Sequence, residues 1–204
     1  MTFSNITDII IPEGNVIRIQ NSLGDVLWEK QSAGEIPEWY GASAETDFTQ
    51  RFMEYVPLGD GTLNLKNTQY SFDGVNWLGG TTINVTKYVP FFVKGDKSYS
   101  SISDHTFDFY IRGNIALSFP LKTNFFNFYQ NNTHVIGAKY FVIDCYLSWS
   151  NYIFQNFFSG CINLKTGPVL NATTLQSTYC CYRMFRGCTS LVVPPKLNAT
   201  TLTV

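Results

Sequence analysis

Near its C-terminal end the sequence writes one passage twice. Phe158-Ser159-Gly160-Cys161-Ile162-Asn163-Leu164 aligns with Phe185-Arg186-Gly187-Cys188-Thr189-Ser190-Leu191. Pro168-Val169-Leu170-Asn171-Ala172-Thr173-Thr174-Leu175 aligns with Pro195-Lys196-Leu197-Asn198-Ala199-Thr200-Thr201-Leu202. The step from Gly160 to Gly187 recurs unchanged from Leu175 to Leu202, and Tyr152 and Tyr179 keep it. A period in the range of roughly 20–50 residues marks stacked units, none of which can bury its apolar face alone. The recurring Leu, Phe, Cys and Ala positions are then the inward ladder, with Leu191 among them. Gly160 and Gly187 supply the tight turn, and the Thr-Thr pairs suit short strands. Ile136, Tyr140, Phe141, Ile143 and Cys145 are candidates for a diverged first coil.

The pattern fits a short leucine-rich solenoid over 114–204. Two clean copies are fewer than such a stack needs, so the reading expects further repeats or a cap beyond residue 204. Upstream, 45–113 alternates short apolar runs such as Tyr70/Phe72 and Val89/Phe91/Val93 with turn signals such as Asp73-Gly74 and Gly95-Asp96. That spacing predicts an antiparallel β-sandwich of about seven strands. Residues 32–44 read as a linker, from the Gly, Ser and Pro between Gln31 and Pro37. Residues 1–31 hold two β-type runs around Asn21-Ser22-Leu23-Gly24-Asp25, a hairpin signal. A lone hairpin is marginal, so Ile17, Ile19, Leu27 and Trp28 are expected to anchor it elsewhere. The predicted fold class is mainly β: hairpin anchor, antiparallel sandwich, short solenoid.

Composition narrows the function. Lys plus Arg is 14 against 15 Asp plus Glu, for a net charge of −1. That lacks the basic balance of a nucleic-acid binder. Only 14% of residues are charged while 16% are aromatic, which excludes a disordered chain or a long coiled coil. No apolar run reaches the length of a membrane-spanning helix, and the first residues lack the basic start of a secretory signal. Cys145, Cys161, Cys180, Cys181 and Cys188 are odd in number and read as small buried hydrophobes.

Catalytic chemistry finds little support. Ser71, Asp73, Gly74 and Trp77 approximate an Asp-box, a structural hairpin in which the acid caps a turn. His105 and His134 have no metal-ligand spacing, and the cysteines form no CxxC pair. No phosphate-binding glycine loop is present. The sequence therefore predicts no catalytic residue, no metal, no cofactor and no enzyme activity. Tyr152, Tyr179, Tyr182, Arg183, Arg186 and Lys196 lie between the repeat's apolar positions. They are either a solvated face or a recognition surface, since solenoids bind through repeated faces and amphipathic rings suit binding surfaces.

Residues 145–204 resemble the BspA-like leucine-rich repeats of Bacteroidetes surface proteins and their phages. The carrying residues are Tyr179-Cys180-Cys181-Tyr182-Arg183-Met184-Phe185-Arg186-Gly187-Cys188-Thr189-Ser190-Leu191 and the Asn-Ala-Thr-Thr-Leu segments. Gln69 to Trp77 and Phe109 to Ile115 are similar to the β-domain that often precedes those repeats. Val16 to Lys30 resembles an N-terminal module of Bacteroides (crAss-like) phage virion proteins. The resemblance implies binding, adhesion and display. It points to a head or tail fibre of a virion, trimeric, joined to other virion proteins through its N-terminus and facing a host glycan or surface protein. The absence of a visible export signal favours release by lysis. A bacterial cell-surface adhesin and a fibre-borne glycan hydrolase are the alternatives.

Overall fold

The computed structural model describes residues 6–10, 18–21, 26–29, 47–64, 68–80, 82–95, 105–120, 124–144, 152–171, 174–175, 179–198 and 201–202; for 6–10, 18–21, 26–29, 174–175 and 201–202 this is the backbone alone. The expected linker at 32–44, Ile17 and Cys145 lie outside the described residues. Two compact units divide at Thr46/Asp47. In the first, β1 (Ile6–Ile10), β2 (Arg18–Asn21) and β3 (Val26–Glu29) pair antiparallel in that order, with Ile19 opposite Trp28.

The second unit is mainly β. Its strands are β4 (Glu54–Pro57), β5 (Gly61–Asn64), β6 (Thr68–Ser71), β7 (Leu78–Gly79), β8 (Thr82–Val85), β9 (Phe91–Gly95), β10 (Phe109–Asn114), β11 (Val135–Asp144), β12 (Val169–Asn171), β13 (Thr174–Leu175), β14 (Lys196–Leu197) and β15 (Thr201–Leu202). Eight form one sheet in the order β14-β12-β11-β10-β4-β9-β6-β7. The pairs from β10 to β7 are antiparallel, and those from β10 to β14 are parallel. β4 is buried along its whole length and β10 nearly so, the pattern of strands covered on both faces. A two-stranded ribbon, β5 with β8, puts Leu63, Ile83 and Val85 into the same buried cluster as Tyr55, Phe91, Val93 and Phe109.

This corrects two expectations. The sheet is mixed rather than antiparallel, and it does not stop at residue 113. β10 runs across that boundary and pairs in parallel with β11, so the region from 47 onward is one unit. A parallel pair needs a long crossover, supplied here by the helical turn α1 (Ile115–Ser118) and the turns that follow it. Asn114 caps that turn, accepting the Ala116 N–H at 2.9 Å. Gly113 has φ +84, and a Cβ there would collide with the Phe52 carbonyl oxygen, so only glycine admits this approach.

Three coils stack at the parallel end. Left-handed residues recur as Asn127 and Asn131, then Asn156 and Gly160, then Arg183 and Gly187. The step from Asn131 to Gly160 is slightly longer than the step from Gly160 to Gly187. Phe125, Asn127, Tyr129 and Asn131 donate their N–H groups to the carbonyls of Ile153, Gln155, Phe157 and Ser159 at 2.7–3.0 Å. Phe154, Asn156, Phe158 and Gly160 donate in the same way to Cys180, Tyr182, Met184 and Arg186 at 2.7–3.0 Å. Rings ride on this register. Phe125 stacks on Phe154 at 5.5 Å, Phe128 on Phe157 at 5.4 Å, Tyr129 on Phe158 at 5.5 Å and Phe158 on Phe185 at 5.7 Å.

The expected ladder position Leu191 is only partly buried, because it stands on the last described coil. Its counterpart Leu164 has no exposed surface. Leu164→Ala should therefore cost about 2–5 kcal/mol in denaturant unfolding, the range for a fully buried leucine, and Leu191→Ala roughly half of that or less. Equal losses would show that both leucines are equally enclosed.

Candidate functional site

Among the described residues, Glu54, Arg112, His105, His134 and Asp73 make contacts within the fold. Glu54 and Arg112 face each other on β4 and β10, with Nε to Oε2 at 2.5 Å and Nη2 to Oε1 at 3.1 Å. His105 is buried, stacked on Phe109 with centroids 4.4 Å apart, and its Nδ1 lies 3.2 Å from the Asn132 amide. His134 pairs with Asp108 at 2.9 Å near the surface. The Asp73 carboxylate accepts the N–H groups of Asn76 and Val75, the Asn76 amide and the Ser71 hydroxyl, at 2.7–2.8 Å. These bonds, led by the Asn76 and Val75 N–H groups, hold it well below the usual carboxylate range. It caps a turn whose Trp77 meets Phe52 edge-on at 5.0 Å and carries Lys94 4.0 Å above its ring.

The four described cysteines are free thiols. Cys161 and Cys188 occupy one position in successive coils, and each reaches back to the preceding coil, to the carbonyls of Tyr129 and Phe158 at 3.0 Å. Burial, with Cys188 beside it, pushes the Cys161 thiol up to about 12. Cys180 is drawn down to about 7 by the neighbouring Cys181, whose sulfur lies at 3.7 Å. Among the described residues no group of three His, Cys, Asp or Glu side chains is placed to hold a metal ion. Among them, too, no helix is long and apolar enough to cross a membrane.

The coil turns carry a different feature. Tyr152 and Tyr179 stack face to face across successive coils, with centroids 5.3 Å apart and planes 5° from parallel. They are 41% and 53% exposed. Tyr182 sets its edge against Tyr179 at 5.4 Å, and the Arg183 guanidinium lies 4.8 Å from the centre of the Tyr182 ring. Tyr152 and Tyr179 have φ of 68° and 59°. A bulky residue in this left-handed region carries about 1–2 kcal/mol of strain, which glycine would not. The same left-handed turn recurs every fourth residue, at Asn156 and Gly160 and at Arg183 and Gly187, so it belongs to the coil itself. The coil therefore keeps two exposed rings at a backbone position that would favour a smaller residue.

Of the six residues expected at a recognition surface, the fold brings Tyr152, Tyr179, Tyr182 and Arg183 into one contact chain. Arg186 is exposed on the same turn, its N–H bonded to the Arg183 carbonyl at 3.1 Å. Lys196 is exposed on β14, on the strand leg of the coil. Ile19, Leu27 and Trp28 lie in β2 and β3, whose side chains fall outside the described residues. Phe126 went unread in the sequence. It precedes the left-handed Asn127 as Tyr182 precedes the left-handed Arg183, so it holds the place of Tyr182 in the first coil, and it is 42% exposed. The signal that locates it is the pair Asn127 and Asn131, spaced like Asn156 and Gly160.

No protein-family model matches the chain, and comparisons with curated proteins and with solved structures find no significant match.

Tyr179→Asn should leave thermal stability nearly unchanged. Relief of about 1 kcal/mol of left-handed strain offsets a stacking loss of about 0.5–1.5 kcal/mol. Phe158→Ala, inside the ring ladder, should cost about 3–5 kcal/mol. A collapse of the melting temperature in Tyr179→Asn would make Tyr179 a core residue instead.

Proposed function

We propose that this chain is a structural display protein of a bacteriophage particle, a head or tail fibre, and not an enzyme. In this reading the three stacked coils form a short leucine-rich solenoid that presents the tyrosine strip to a host-surface glycan or protein. The N-terminal hairpin, with Ile17, Ile19, Leu27 and Trp28, docks onto other virion proteins, and three chains assemble into the fibre.

The observation that carries the reading is the exposed ring pair Tyr152 and Tyr179, stacked from one coil to the next above the hydrogen-bonded ladder. A rigid scaffold carrying a periodic row of amphipathic side chains is the arrangement by which stacked-repeat proteins bind extended partners. The repeat sequence of 145–204, similar to BspA-like repeats, and the virion-like segment from Val16 to Lys30 support the phage setting. The structural duties of Glu54, Arg112, His105, Asp73 and Cys161 favour display over catalysis.

Gold labelling of residues 114–204 on purified particles should mark the capsid or the tail. Trp28→Ala should cut incorporation into particles while leaving the second unit folded by circular dichroism. Label on intact bacteria with none on particles would replace the virion reading with a cell-surface adhesin.

A further inference from the structure

The charge along the chain is sharply divided. All fifteen carboxylate side chains lie at or before Asp144, together with ten of the fourteen Lys and Arg residues. From Cys145 onward the charged side chains are Lys165, Arg183, Arg186 and Lys196, with no acid among them. All four are exposed. The coils that carry the tyrosine strip are therefore cationic on a chain whose net charge is −1, and two of the four cations sit on the turn beside Tyr182.

We propose that the strip of Tyr152, Tyr179, Tyr182, Arg183 and Arg186 binds an acidic polysaccharide, one whose sugars carry carboxylate groups. This rests on the attachment role proposed above and names its ligand class. The outer ring faces and edges offer apolar ground for the C–H face of a pyranose, and the tyrosine hydroxyls offer hydrogen-bond partners at the wet edge. Arg183 lies over the Tyr182 ring with its guanidinium at 4.8 Å, an arrangement that holds the cation while leaving N–H groups for a carboxylate. A planar guanidinium matches a carboxylate in two parallel hydrogen bonds. Arg186 is a second exposed cation on the same turn, three residues after Arg183.

The geometry favours a saccharide over a single-stranded nucleic acid. Nucleic-acid platforms stack successive bases on separate aromatic faces along a basic groove. Here Tyr152 and Tyr179 are closed against each other at 5.3 Å, so no base fits between them. Four cations spread over successive coils also give too sparse a track for phosphates.

The test measures binding of the full chain to polygalacturonate, to its fully methyl-esterified form, and to oligothymidylate. The esterified polymer keeps the sugar and removes the charge. The expected result is binding to polygalacturonate about tenfold tighter than to the ester, weakening with added salt. Arg183→Gln with Arg186→Gln should erase that preference, while Tyr152→Asn with Tyr179→Asn should weaken binding to both polymers. Equal binding to acid and ester would overturn the acidic ligand and leave the attachment role standing. Binding to neither polymer would overturn the acidic ligand and the glycan-attachment reading together. Tighter binding to oligothymidylate than to polygalacturonate would overturn the saccharide in favour of nucleic acid. Because all five side chains are exposed, an unchanged melting temperature in each variant separates lost binding from lost folding.

Discussion

Coil-on-coil registration controls the geometry of the second unit. At alternate residues of each turn a backbone N–H reaches the carbonyl of the next coil at 2.7–3.0 Å, and flat rings at matching positions then meet at 5.4–5.7 Å. Each stabilises the other. The hydrogen bonds fix the spacing at which rings can stack, and the stacked rings exclude water from the bonds that hold them. Tyr152 and Tyr179 inherit the same spacing on the outside of the turn. The strip is thus a surface consequence of the interior ladder, and its ring separation follows the inter-coil repeat.

Continuity of the sheet gives the ladder its foundation. The first coil does not end against solvent. It is joined through β11 to β10, and through β10 to the antiparallel strands. The Tyr55 and Tyr129 hydroxyls meet at 2.7 Å, tying β4 to the first coil, and Tyr55 stacks on Phe91. Burial pushes the Tyr129 hydroxyl far above the usual tyrosine range, so it stays neutral in this contact. The antiparallel region therefore closes the open end of the stack, as a terminal cap does in stacked-repeat folds. Cys161 and Cys188 donate to the preceding coil, whereas the matching residue of the first coil is Asn132. Asn132 turns to its own chain and to His105, accepting the N–H groups of His134 and Val135.

Much of this was legible in the repeat itself. Its constant step located Gly160 and Gly187, both left-handed, and the Phe158 and Phe185 pair that stacks. The first coil was harder to see because its consensus positions are filled by physical equivalents. Asn127 and Asn131 take left-handed turns that a glycine would take more readily, and Tyr129 stands where Phe158 stands. The longer step from Asn131 to Gly160 also breaks the period. The join at Gly113 and Asn114 was hidden for another reason. Alternation and turn spacing describe strands, but they do not say whether a neighbour runs parallel or antiparallel. That is decided by the crossover through α1. Of the site, the residue types and their columns could be read. The ring-on-ring contact, the left-handed tyrosines and Phe126 required the register.

The central claim is that the diverged first coil and the clean second coil belong to one cooperative ladder. Native-state hydrogen exchange tests it most directly, because Asn127, Tyr129 and Asn131 donate across one coil interface and Asn156, Phe158 and Gly160 across the next. Amides that open in a single cooperative event share one opening free energy. The account predicts a common value for these six amides, together with those of β10 and β11. Exchange at Asn127, Tyr129 and Asn131 through a separate, much lower-energy opening, with Asn156, Phe158 and Gly160 still protected, would contradict it.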